Sequence, residues 1–187
     1  MANILVAYAT SEGQTGRVAE RIADTIAAAG YEATTVNLSD TDAPVDLDAH
    51  DAVLVGASIH AGKHQSAVSE FAADHRETLA ALPTGFFQVS LSSATDEGKE
   101  EAAGYVEAFV ADTGWDPDRI GLFGGALRYS EMGFVKRTLI KSIAKRAIPG
   151  TDTSADAEFT DWDEVEAFAT DFAAFVAERT AAEDASS

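Results

Sequence analysis

The sequence predicts an α/β protein, a doubly wound parallel sheet of five strands with helices on both faces. Three observations predict it. Uninterrupted apolar runs such as Ile4-Leu-Val-Ala7 and Ala52-Val-Leu-Val-Gly56 are the pattern of strands covered on both faces. Segments with helical spacing separate the runs, so strand and helix alternate along the chain. A length of 187 residues fits one domain with a proper core. Right-handed crossovers follow, and ligands of such sheets lie beyond the carboxyl ends of the strands, at the switch point.

The elements follow in order. The first strand ends near Ala7, and Thr10-Ser-Glu-Gly-Gln-Thr15 turns the chain into a helix. Val18, Ile22 and Ile26 form that helix's buried stripe, and Gly30 stops it. Ala33 to Val36 is the second strand, followed by an acidic loop from Asp40 to His50. Residues 52–56 are the third strand. A helix opens at Ser66, buries Val68, Phe71 and Ala72, and ends near Pro83. Phe86 to Ser90 is the fourth strand. Glu97 to Thr113 is helical, with Val106, Phe109 and Val110 inward. Ile120 to Phe123 is the fifth strand. The last helix opens at Thr160 or Asp161 with acids three residues later, as in a capping box. Its stripe of Trp162, Val165, Phe168, Phe172 and Phe175 reads as core. One domain is expected over 1–182, with an inserted basic segment over 126–160 and a disordered tail over 183–187.

Composition excludes several functions. The formal charge of −19 repels nucleic acid. With no Cys there is no disulfide frame, thiol chemistry or thiolate metal site. The chain enters a strand at once and holds no apolar run long enough to cross a bilayer, so a soluble cytoplasmic protein is expected. Abundant, scattered acids with scarce Lys suggest a salt-loving (halophilic) source; the alternative is an ordinary acidic protein.

Three strand-to-helix turns carry the expected chemistry. The first is Thr10, Ser11, Glu12, Gly13, Gln14 and Thr15. A hydroxyl-rich turn at a helix N-terminus suits a phosphate, because free N–H groups and the positive end of the helix dipole meet there. The alternative is a plain helix cap. The second turn is Ala57-Ser58-Ile59-His60-Ala61-Gly62-Lys63-His64, and the third runs from Ser90 through Leu91, Ser92 and Ser93 to Ala94. Small, polar and poor in charge, they suit a ligand with one phosphate and a flat ring. A triphosphate loop fails on spacing. Gly56 and Gly62 have five residues between them and His64 follows Lys63, where such a loop needs four and then Ser or Thr. The G-x-G-x-x-G fingerprint of dinucleotide sites is absent after the first strand.

The first turn resembles the FMN phosphate loop of flavodoxin-like proteins. More of the chain is similar to one branch, the menaquinone-dependent protoporphyrinogen IX dehydrogenases. The matching runs are Glu12-Gly-Gln-Thr15, Gly56-Ala-Ser-Ile59 with Gly62, His64 and Ser66, Gly125-Ala-Leu-Arg-Tyr129, Thr151-Asp-Thr153 and Thr160-Asp-Trp162. The resemblance implies strand order 2-1-3-4-5 and one FMN per chain. Ser11 to Thr15 would hold its phosphate, with residues 57–62 and 90–94 beside the ring. It implies a heme-biosynthesis oxidoreductase taking electrons from a porphyrinogen-type substrate to a quinone. The alternative is a flavodoxin-type carrier serving redox partner proteins. Neither ring turn contains Phe, Tyr or Trp, which leaves the ring open to an organic substrate. His60 and His64 can donate to the flavin or a quinone oxygen; the alternative is a loop histidine facing water. No nearby carboxylate or third His completes a metal set with them.

The stretch before the last helix is the basic exception. Arg128, Lys136, Arg137, Lys141, Lys145 and Arg146 are six of the thirteen basic residues, opposed between 128 and 146 only by Glu131. From Gly133 to Ile148 the pattern is helical, with Val135, Leu139, Ile143 and Ala147 on one stripe and Arg137, Lys141 and Lys145 opposite. Such helices lie on membrane surfaces or bind acidic partners; the alternative is a solvated face. The expectation is peripheral contact with the inner face of the membrane through 128–148. Arg128 and Tyr129 close the G-A-L-R-Y run where ligands bind. Arg128 is expected to pair with a substrate carboxylate such as a propionate, the alternative being a bridge from the sheet to the insertion. The related enzymes carry an aromatic, Arg-rich run after the matching Tyr; here it is Ser130-Glu-Met-Gly-Phe134, a departure that bears on the substrate.

Overall fold

The computed structural model describes residues 1–40, 44–127 and 156–186. Arg128, Tyr129, the basic stretch over 133–148 and Thr151-Asp-Thr153 lie outside the described residues.

Five parallel strands form the sheet: β1 (Asn3–Tyr8), β2 (Glu32–Asn37), β3 (Ala52–His60), β4 (Thr84–Ser90) and β5 (Arg119–Gly124). Their order is β2-β1-β3-β4-β5, the expected one. Ile4 lies beside Ala33 on one side and Ala52 on the other, and the register continues through Val53–Thr84 and Gly85–Arg119. The chain winds outward both ways from β1 and β3, so the switch point lies between their carboxyl ends.

Apolar residues alternate between two covered faces, as a period of two requires. Ile4, Val6, Leu54, Phe87, Val89 and Phe123 pack against α1 (Gln14–Ala28) and α5 (Trp162–Ser186). Leu5, Ala7, Val53, Val55 and Phe86 pack against α2 (Ser66–Asp74), α3 (Arg76–Ala81) and α4 (Asp96–Thr113). The aromatic stripe of α5 is core: Val165 and Phe172 are fully buried, and Phe168 meets Phe123 edge to face at 5.6 Å. Asp161 Oδ1 caps that helix, accepting from the N–H groups of Asp163 and Glu164.

The structure corrects three boundaries. The helix expected to run unbroken from Ser66 is two, α2 and α3, meeting at His75. Helix α5 continues to Ser186, into the stretch expected to be a disordered tail; no Gly or Pro interrupts it, and Ala181, Ala182 and Ala185 favour helix. The third correction matters for function. Strand β3 does not stop at Gly56 but continues through Ala57, Ser58 and Ile59 to His60, and then doubles back. Ala61 and Gly62 turn the chain with φ of 51° and 77°, and Lys63–His64 returns antiparallel, pairing His60 with Lys63 and Ile59 with His64. Two consecutive positive φ angles in a two-residue connection make a tight hairpin whose twist matches its strands.

Candidate functional site

The turns after β1, β3 and β4 meet at the carboxyl edge of the sheet. Ala9 N–H donates to Gly56 O at 3.1 Å, and Gly125 N–H to Ser90 O at 3.0 Å, so adjoining strand ends are bonded.

The first turn is built around an open helix start. Gly13, at the N-cap of α1, has φ of 85°, and no side chain caps the helix. A Cβ at Gly13 would meet nothing within 4 Å. Thr10 Oγ1 accepts from the Gly13 N–H at 2.9 Å and so shapes the turn ahead of the helix. Ser11 is exposed, Glu12 half-buried, and Gln14 and Thr15 buried. The Thr15 hydroxyl, in the first turn of α1, is buried without a hydrogen-bond partner. A buried hydroxyl normally finds one, and leaving it unpaired costs about 1–3 kcal/mol.

Gln14 faces the other way. Its Nε2 donates to Thr160 Oγ1 at 2.8 Å, and Thr160 Oγ1 donates to Gly124 O at 2.7 Å. Beside them Arg17 pairs with Glu158 at 2.5 Å, and Trp162 Nε1 donates to Glu158 at 2.8 Å. Burial pushes the Glu158 carboxyl up, but the bonds from Trp162, Arg17 and Gln14 together hold it below its ordinary value. Ala126 and Leu127, just after β5, pair antiparallel with Glu158 and Ala157, just ahead of α5, and form the base of this corner. The Thr160-Asp-Trp162 run is thus the clamp between this base and the first turn.

The second turn separates the two histidines. His60 is exposed at the end of β3. His64 instead turns inward, edge-on to Phe86 and Phe109 at 5.5 and 5.0 Å, with Nε2 2.7 Å from Gln88 Oε1. Gln88 Nε2 donates to Ala102 O, so Gln88 Oε1 is the acceptor and His64 Nε2 carries the proton. Burial lowers the His64 pKa, against the opposing effect of the Gln88 bond. Of the pair proposed to face a ligand, His64 is therefore occupied with the core. Ala57 is fully buried on the α2 side, so only its backbone can meet a ligand. Ser58 N–H donates to Gln65 Oε1 at 3.1 Å. Sequence reasoning missed Gln65.

The third turn braces itself. Ser90 and Ser93 hydroxyls bond each other at 2.8 Å, and Ser93 N–H donates to Ser90 Oγ at 3.2 Å. Ser92 Oγ donates to Glu101. Leu91, Ser92 and Ala94 are half-buried, and Ser93 is buried.

A model of the flavodoxin domain matches residues 5–154, from β1 past the last of these turns. The chain belongs to the flavodoxin domain family. Curated relatives agree. Protoporphyrinogen IX dehydrogenase (quinone) of Escherichia coli strain K12 is 32% identical over 170 residues, 90% of this chain and 93% of the relative. Its namesake from Leishmania major is 33% identical over 172 residues, 91% of this chain and 74% of the relative. Among solved structures, a flavodoxin from the domain Archaea aligns with a TM-score of 0.51 at 19% identity, covering 93% of this chain and 98% of that one; it supports the fold. The flavodoxin-domain protein described here is accordingly a flavodoxin-like oxidoreductase, and its family implies a flavin. The first turn fits such a group: an uncapped helix start, a glycine with open space beside it, and a buried hydroxyl in want of a partner. Among the described residues no helix is long and apolar enough to cross a membrane.

Proposed function

We propose that this protein binds FMN and passes electrons from a porphyrinogen-type substrate to a quinone. The observation that carries the reading is the Thr15 hydroxyl, buried and unpartnered in the first turn of an uncapped helix. That is where a terminal phosphate would find donors and a favourable dipole. Ser11 and the N–H groups of the turn would hold the phosphate with Thr15. The backbone of residues 57–62 and 90–94 would flank the ring, with Ile59 and His60 on its open side. When bound, FMN supplies the redox chemistry; the protein orients it and leaves one side accessible. The curated relatives, named protoporphyrinogen IX dehydrogenase (quinone) and matched over most of their length, support this substrate and acceptor.

Arg128 is our candidate for gripping a substrate carboxylate, with Tyr129 beside it in sequence. The basic stretch over 133–148 is our candidate for contact with anionic lipid, giving access to a membrane quinone and placing the protein at the inner face of the membrane. Anaerobic mixing of the FMN-loaded protein with protoporphyrinogen and menaquinone is the test. Porphyrin fluorescence rising together with quinol supports the enzyme. A flavin reduced only by a reductase protein makes it a carrier and overturns the proposal.

A further inference from the structure

Gln65 occupies the N-cap of α2, where Ser, Thr, Asp or Asn normally serves the helix with its own side chain. Its backbone makes only the helix's ordinary first bonds: Gln65 O accepts from Val68 N–H at 3.1 Å and from Ser69 N–H at 3.3 Å. Its side chain gives the helix nothing and leaves in another direction.

That side chain bridges two of the turns. Oε1 accepts from Ser58 N–H at 3.1 Å. Nε2 donates to Ser58 Oγ, and also to Ser11 Oγ at 3.3 Å. The orientation of the amide is determined, since Ser58 N–H can only donate and must face the carbonyl oxygen. Both amide hydrogens are then directed at hydroxyl oxygens. A hydroxyl that accepts from an amide keeps its own proton free to donate elsewhere.

We infer that Gln65 is a positioning residue for the flavin site: it joins the phosphate turn to the end of β3 and turns the Ser11 hydroxyl into a donor toward the phosphate. The inference rests on the FMN reading proposed above. Gln65→Glu has nearly the same shape but reverses the polarity. The carboxylate still accepts from Ser58 N–H, yet it takes the Ser11 proton for itself and adds a negative charge beside an anion. Gln65→Met removes the donors without adding charge.

The experiment titrates FMN and riboflavin into wild type, Gln65→Glu, Gln65→Met, Ser11→Ala and the Gln65→Met/Ser11→Ala double variant, followed by quenching of flavin fluorescence, with thermal unfolding of each apoprotein as a check. Gln65→Glu should weaken FMN binding about tenfold or more, the scale of one hydrogen bond to a charged group. Riboflavin, which lacks the phosphate, should lose less. Gln65→Met should cost clearly less in the Ser11→Ala background than in wild type, because the residue acts through Ser11. Wild type that binds FMN while both variants bind it equally well, or losses identical for FMN and riboflavin and undiminished without Ser11, overturn the role of Gln65 alone. Wild type that binds no FMN overturns the FMN reading and this inference with it.

Discussion

Gln14 at the start of α1 and Thr160 just ahead of α5 are joined side chain to side chain at 2.8 Å, across 146 positions of sequence. Thr160 passes the contact on to Gly124 O at the end of β5. The first turn, the last long strand and the final helix are therefore tied at one point, and the start of the candidate phosphate site inherits its position from the far end of the chain. Replacing Thr160 with Val removes the donor to Gly124 O and the acceptor for Gln14. Chemical denaturation should show a loss of about 1–3 kcal/mol. Thr160→Ser, which keeps the hydroxyl, should stay close to wild type.

Thr15→Val should separate stability from ligand binding. Its hydroxyl is buried and unpaired, so removing it relieves a desolvation cost in the apoprotein. Unfolding of the apoprotein should therefore require as much denaturant as wild type, or more. FMN affinity should fall about tenfold, since the phosphate loses a donor. Apoprotein destabilised along with FMN binding would mean that the hydroxyl serves the fold.

Much of this architecture was legible in the residues, and the failures have identifiable causes. Ile4 to Ala7 and the stripe of Val18, Ile22 and Ile26 announce themselves because burial on a sheet or helix imposes a period. The first turn was readable because hydroxyls, a glycine and a helix start coincide in sequence. The hairpin after β3 was not, because Ala61-Gly62 lacks the Asn-Gly or Asp-Gly signature of such turns. The burial of His64 was hidden because its partner Gln88 lies twenty-four positions away on another strand. Gln65 was hidden because a lone glutamine carries no signal until its neighbours in space are known.

Ala61 holds φ of 51° with a Cβ that crowds the following carbonyl. Ala61→Gly should raise stability by about 1 kcal/mol in chemical denaturation, since glycine adopts this conformation without that clash. No gain would mean that the hairpin relaxes in solution.

His64 gives the fold a defined response to acid. Its pKa is lowered in the folded state, first by burial, so the unfolded chain binds the proton more readily. Its contribution is complete above the unfolded value of about 6.5 and is lost as pH falls below it toward the lowered folded value. Denaturation from pH 8 to pH 5 should show wild type losing stability through this window. His64→Leu should start lower at pH 8, with Gln88 Oε1 left unpaired, and decline less steeply. Parallel curves would remove His64 as the source.

The most direct measurement of the central claim is equilibrium titration of the purified, flavin-free protein with FMN, in dilute buffer and in concentrated KCl, read by absorbance and fluorescence. Saturation at one FMN per chain, with riboflavin bound more weakly, is the result expected if the turn from Thr10 to Thr15 holds the phosphate. A protein that takes up no FMN in either medium, or binds riboflavin as tightly as FMN, contradicts it.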